Sequence, residues 1–444
     1  MKQLNVCIEL KKQIKHLKRK NANAYWRLIS SHMDEISWED ISHNINVTDI
    51  EHKIKTMNTI VIESASINPN LTLDFVVNNS YNLTWKWNWF WVSKTVKLPH
   101  NISFEKYNKY LVIDGISRNP SLNMHHILSN INMDWNWKAI SNCPNITMTF
   151  INSICQDYFD WNCLSCNPAI HLNDIIENPT KPWSYRFLSR NPNLRLDFVK
   201  QHLNNQHTNN ITNNQHTNNN TNNQHDISNH DHDHNDDHNQ QSEGRSNNIN
   251  VNNVRDVDRK VYEWDWYYIS RHAMITLADV DHNPQLPWSY FGLSRNINMT
   301  CEWVKAHPHD RWNYYWLSKT IHITDIEQHI HDMYFNWSGI SSNITITGEF
   351  ILKHKHELNW HELSCNPGLD LDFVIRHDTL PWSWSCIAGN RFDHNVKKLE
   401  LLHAAAVDKL AKEFYWRLVQ ALSKPPNGYY FKQDLQHMLQ LQAS

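Results

Sequence analysis

Glycine is almost missing from this chain, with eight in 444 residues. Tight β-turns draw on glycine for their positive-φ positions, so this scarcity counts against a turn-rich sandwich or barrel. Long apolar runs are missing too. No segment approaches the roughly 18 consecutive apolar residues of a membrane span. The opening MKQLNVCIELKKQIKHLKRK lacks the unbroken apolar core of a signal peptide. The expectation is a soluble protein inside a cell, with no membrane partner. Its eight cysteines (Cys7, Cys143, Cys155, Cys163, Cys166, Cys301, Cys365 and Cys386) should then stay reduced. Strings such as Asn70-Leu71-Thr72 should carry no sugar there.

An excess of one charge is also absent. With 42 Lys+Arg against 45 Asp+Glu, nothing pulls the whole chain toward nucleic acid or an anionic surface. The 30 histidines add positive charge only as pH falls toward about 6.5. No Gly-rich phosphate loop, nucleophile-plus-base pattern or spaced metal triad is legible, so neither an enzyme nor a cofactor is expected.

What the chain does have is tryptophan, 21 of them, and a phrase it repeats. PWSYRFLSRNPNLRLDFV at Pro182–Val199 returns as PWSYFGLSRNINMTCEWV at Pro287–Val304 and as PWSWSCIAGNRF at Pro381–Phe392. Aligning the Ser of the phrase gives Ser42, Ser66, Ser93, Ser117, Ser141, Ser165 and Ser189. After a gap come Ser270, Ser294, Ser318, Ser341, Ser364 and, in the same slot, Ala388. These are thirteen units with steps of 23 to 27 residues, mostly 24. A fixed period in this range marks a stacked array rather than two or three ordinary domains.

Counting from the Ser as position 0, position −1 is aliphatic in nearly every unit and −4 is usually aromatic, as in Trp38, Trp137, Tyr185, Trp266 and Trp384. Position −6 is large and apolar, including Trp87, Trp183, Trp288 and Trp382. A separation of three places −4 and −1 on one helical face, which defines a short Trp helix. It predicts Trp183, Trp288 and Trp382 as core anchors. Pro182, Pro287 and Pro381 suit the first helical position. Asn-Pro, as in Asn167-Pro168, ends the helix. Six residues after the Ser comes a capping type: Thr48, Thr72, Thr147, Thr276, Thr300, Thr324, Thr347, Asn123 and Asp370. Acidic residues follow in the first turn, and apolar doublets such as Phe198-Val199 fill a second helix. The reading is an all-α solenoid of about thirteen helix-turn-helix repeats. The alternative is a leucine-rich-repeat-like solenoid, whose period is similar but whose strand requires alternation.

The pattern Trp-x-x-[Ile/Leu]-Ser-x-Asn-Pro-x-[Ile/Leu]-Thr-x-[Asp/Glu]-[Phe/Ile] resembles the tandem-repeat proteins of giant DNA viruses of the mimivirus kind. That resemblance covers about residues 36–200 and 261–395 and implies an origin without implying a reaction. The units around Ile62 and Ile113 depart from it by lacking the aromatic.

Around the array, residues 1–35 read as a basic capping helix and 396–444 as a helical C-terminal cap ending in a short helix after Pro425-Pro426-Asn427-Gly428. The array occupies 36–200 and 261–395. Between them, 201–260 is an Asn/His/Gln-rich insert with almost no large apolar residue, expected to be disordered. Its DHDHNDDH run holds His232, His234 and His238, which suit weak, adventitious metal binding rather than a built site. Cys163-x-x-Cys166 has metal or redox spacing but no second pair. The residue after the Ser is often basic: Lys94, Arg118, Arg190, Arg271, Arg295 and Lys319. The reading is a non-enzymatic scaffold for a macromolecular, chiefly protein, partner. Nucleic-acid or acidic-partner binding through that Lys/Arg stripe and a structural virion role are the alternatives.

Overall fold

A computed structural model describes residues 2–56, 62–82, 85–203, 264–308 and 310–422. Every regular element among them is helical, with no strand among the described residues, so the all-α repeat array stands and the leucine-rich alternative does not. The insert with His232, His234 and His238, and the short helix expected after Pro425, lie outside the described residues. No described helix is long and apolar enough to cross a membrane.

The Trp helices open at position −4 behind an N-cap at −5, which in many repeats is a side-chain cap. Asn88, Asn136, Asp160, Asn336 and Asn359 accept the N–H groups of Trp91, Ala139, Cys163, Gly339 and Glu362. This corrects the expected place of proline. With Ser184, Ser289 and Ser383 at the N-cap, Pro182, Pro287 and Pro381 fall two residues ahead of it, in the entering turn. The Trp at −6 therefore lies outside the helix as well. In most repeats its indole N–H donates to the carbonyl five residues earlier, as Trp183 does to Asn178, Trp288 to Asn283 (both 2.9 Å) and Trp382 to His377 (2.8 Å). It packs edge-on against the −4 aromatic of the preceding repeat: Trp161–Trp183 at 5.0 Å, Trp266–Trp288 at 5.4 Å, Trp360–Trp382 at 5.1 Å. Trp382 is buried, whereas Trp183 and Trp288 are half-buried.

The second helix is capped as expected by Thr72, Asn123, Thr147, Thr276, Thr300, Thr347 and Asp370. Two caps fail. Thr320 stands where most repeats have Asn, the Trp helix runs on through it, and the next helix opens at Ile323 behind His322, leaving Thr324 inside the first turn. Thr48 lies in the turn before Ile50–Thr56.

Two polar residues weld neighbouring repeats. In most repeats the Ser at 0 is buried, donates to the carbonyl at −4 and accepts the N–H that opens the next repeat's Trp helix. Ser165 donates to Trp161 (2.7 Å) and accepts from Ser184 (2.9 Å), and Ser364 donates to Trp360 (2.6 Å) and accepts from Ser383 (2.9 Å). The Asn at +2 is also buried. Its Oδ1 holds the turn by accepting the N–H two residues on, and its Nδ2 donates back to carbonyls of the preceding repeat. Asn191 reaches Ser165 (2.9 Å), Asn167 and Ile170 (both 3.1 Å). Asn296 repeats this on Ser270, His272 and Ile275. Asn therefore does more than stop the helix. It donates to the buried carbonyl of the Ser at the helix end and adds a second donor to the turn carbonyls that follow, groups whose burial demands partners.

The chain divides into two compact units, Met1–Leu122 with Tyr314–Ser444, and Asn123–Asn313. In the first, the N-terminal repeat uses the same Asn bonds on the last one. Asn44 Nδ2 donates to the carbonyls of Ala388 (2.8 Å) and Asn390 (3.0 Å), and Asn46 to Arg391 (2.8 Å). Helices Lys2–Ser30 and His394–Leu422 pack on each other, rather than capping separate ends. Tyr25, fully buried, donates to the Ala388 carbonyl (2.6 Å), and His32 stacks on Trp384 with centroids 3.6 Å apart.

Candidate partner-binding face

Position −1 is buried and −4 at least half-buried, so −3, +1 and, except where it is a buried Gly or Ala, −2 supply the side chains nearer the surface. Contacts between repeats show that these three positions meet. Arg190 at +1 lies 4.1 Å over the ring of Tyr268, at −2 of the next repeat. Arg295 at +1 donates to the hydroxyl of Tyr267, at −3 of the preceding one, at 2.7 Å. Ser342 at +1 donates to Glu362, at −2 of the next, at 2.8 Å. The packing of the array thus fixes a shared face whose side chains the core does not dictate.

In the Asn123–Asn313 unit this face is basic and aromatic. Over five repeats the three positions hold Lys138, Arg186, Arg190, Arg271 and Arg295, and no carboxylate. Tyr267 stands edge-on to Tyr268 at 4.8 Å and stacks on the exposed Phe291 at 5.6 Å. Arg190 lies over both Phe187 (5.1 Å) and Tyr268, and its buried Nε has no hydrogen-bond partner among the described residues. A guanidinium stacked on rings keeps its charge while shedding water, which strengthens what it does to an anion. Beside it, Arg186 lines a shallow cavity of about 250 Å³ with Trp264, Asp265, Trp266 and Pro287. Lys138 is drawn toward Asp160, 3.9 Å away.

In the other unit the predicted cations sit differently. Lys94 lies 4.5 Å over Trp91 and Lys319 5.1 Å over Trp316, each beside an aromatic doublet, Phe90–Trp91 and Tyr315–Trp316. Arg118 is paired with Asp114 at 3.2 Å. The following repeat carries Gly at −2 after each doublet. A Cβ at Gly339 would collide with the carbonyl of Tyr315, as one at Gly292 would with that of Tyr267. So the glycines that are kept let one Trp helix rest on the backbone of the one before.

The six cations were legible in the sequence, but not the aromatic partners at −2 and −3 of four of them, Lys94, Arg190, Arg295 and Lys319. The signal was available in the triplets Trp89-Phe90-Trp91, Trp266-Tyr267-Tyr268 and Tyr314-Tyr315-Trp316. Two further points concern cysteine. Cys163 and Cys166 remain free and half-buried, and burial raises both thiols, Cys163 to about 11, which leaves them weak nucleophiles. Cys365 and Cys386, expected to be reduced, are joined in a disulfide. Position +1 of one repeat and −2 of the next bring them together, a proximity invisible until the repeats are stacked.

Against known proteins, the chain matches no family model, no curated protein and no solved structure.

Proposed function

We propose that this protein is a non-enzymatic repeat scaffold that holds an acidic protein segment on the Arg/aromatic face of its Asn123–Asn313 unit. We place it inside an infected cell, following the repeat's resemblance to giant-virus proteins. One observation carries the reading: five repeats present five cations and no carboxylate at positions −3, −2 and +1, with Arg190 and Arg295 laid against tyrosines. Tyr and Arg are the side chains that concentrate binding energy at protein interfaces. The alternation of rings and guanidinium groups also favours a second reading, single-stranded nucleic acid, because bases stack on such rings.

The test is retention of the full chain on immobilised polyglutamate and on single-stranded DNA across a salt series. The proposal expects salt-sensitive retention on polyglutamate that the triple variant R190A/R271A/R295A loses. Stronger retention on DNA than on polyglutamate would favour the second reading, and retention unchanged in the triple variant would overturn both.

A further inference from the structure

The same three surface positions, in the repeats centred on Ser364 and Ala388, carry a different chemistry. His361 (−3) and Cys365 (+1) stand four residues apart on helix Trp360–Cys365, hence on one face. Cys386 (−2) comes from the next Trp helix, Trp384–Gly389. One ligand atom from each lies within 4.8 Å of the others. The His361 ring nitrogens are 3.5 Å (Nδ1) and 3.9 Å (Nε2) from Cys386 Sγ. Packing does not call for these residues. Elsewhere the position of Cys365 holds Lys94, Arg295 or Ser342, and that of Cys386 holds Gly115, Gly292 or Gly339.

We propose that, with its disulfide reduced, this site binds one zinc-class divalent ion through Cys365 Sγ, Cys386 Sγ and one nitrogen of His361. Thiolate and imidazole donors select zinc over magnesium or calcium. With zinc–sulfur bonds of about 2.3 Å and zinc–nitrogen bonds of about 2.0–2.1 Å, a tetrahedral sulfur–nitrogen edge is about 3.6 Å. His361 and Cys386 already hold that separation. The two sulfurs need only part from bonding distance to an edge of about 3.8 Å, a movement within reach of side-chain rotation for the exposed Cys365 and the half-buried Cys386. Three protein donors leave a fourth position for water. The chemistry balances simply: a dithiol reductant delivers two electrons and two protons to the disulfide, and the ion then displaces both protons from the thiols. Oxidation by a disulfide or a peroxide would expel the ion and restore the covalent bond between the two repeats.

The test uses the full chain, reduced, freed of reductant without oxygen and titrated with cobalt(II) as the spectroscopic stand-in for zinc. The expected result is saturation at one ion per chain with sulfur-to-cobalt charge-transfer absorption, release of two protons and displacement by zinc. C365S/C386S should lose the absorption and C163S/C166S should keep it. H361A should weaken binding and alter the visible bands. Because the signal requires thiolate, binding at His232, His234 and His238 cannot imitate it. Absence of charge-transfer absorption in the reduced chain, its survival in C365S/C386S, its loss in C163S/C166S, or indifference to H361A would each overturn the site.

Discussion

The two units are built from one repeat and differ in what that repeat shows. In Asn123–Asn313, positions −3, −2 and +1 carry five cations and no acid. In the other unit the same positions carry Glu39, Asp40, Glu63, Asp114 and Glu362 against Lys94, Arg118 and Lys319. Near neutrality of the whole chain conceals this, because the average runs over both faces. The lesson is that charge in a repeat protein is read position by position, after the positions fixed by packing have been set aside. Inside, the contrast runs between repeats rather than between units: at −6, Trp135, Trp264 and Trp382 are buried, whereas Trp183 and Trp288 keep part of their surface in water.

The largest expected effect sharpens that internal contrast. Trp382→Ala should cost about 3–5 kcal/mol, the usual loss for a buried aromatic. Trp183→Ala and Trp288→Ala should cost less, about 2–3 kcal/mol, since less area is withdrawn from water. Denaturant melts of the three single variants decide it, and equal losses would mean that exposure at −6 has no energetic meaning.

The surface contrast comes next. R190A/R271A/R295A should weaken polyglutamate binding by at least about a hundredfold, since close charge pairs across interfaces couple by about 1.5 kcal/mol or more each. K94A/R118A/K319A, drawn from the acid-bearing face, should change it only by roughly threefold or less. Similar losses in both triple variants would erase the distinction between the units.

Asn191→Ala should destabilise the Asn123–Asn313 unit by about 2–3 kcal/mol. It takes from the buried Ser165 carbonyl its donor, takes one of two from those of Asn167 and Ile170, and removes the Oδ1 that accepts the Asn193 N–H. Hydrogen exchange of the flanking repeats locates the damage, and a loss spread evenly over both units would contradict nearest-neighbour coupling.

The smallest effect concerns the one repeat in which histidine replaces that Asn. His272 Nε2 bonds the carbonyl of Asn191 (3.1 Å) while Nδ1 accepts from Met274 N–H (3.1 Å). A neutral Nε2–H ring thus copies both halves of the amide. Burial lowers its pKa from 6.5, with the bond to Asn191 working the other way. The folded state therefore resists a proton that the unfolded chain accepts. Stability contributed by the neutral ring is full above about 6.5 and declines as pH falls toward the lowered folded value. His272→Asn should leave the melt at pH 7.5 nearly unchanged and flatten its decline between pH 6.5 and 5. A decline as steep as before would assign the pH dependence to other groups, such as His354, whose pKa burial also lowers.

Period, helix pair, aromatic spacing and most caps were legible in the sequence, because thirteen copies average away local ambiguity. Residues whose meaning is set between repeats were not. Asn191 reads as a helix stop until its Nδ2 is seen on three carbonyls of the repeat before. Pro182 and Trp183 read as helix because the cap, Ser184, is an unremarkable serine between two aromatics. Cys365 and Cys386 are 21 residues apart, close to one period, and that near-coincidence was the available clue. The partners of Asn44 had no local clue at all.

Those last partners lie 344 and 346 residues downstream. At about 5–20 residues per second, a ribosome that has released the first repeat takes about 20–70 s to make the surface it rests on. Tyr25, fully enclosed in the finished protein, spends that interval without Ala388 and Phe392, its partners there. Most stacked repeats can settle as they emerge, each on the one before. Here the repeat of Asn44 leaves the ribosome long before the repeat it rests on, so this stretch gives a chaperone a long time to act.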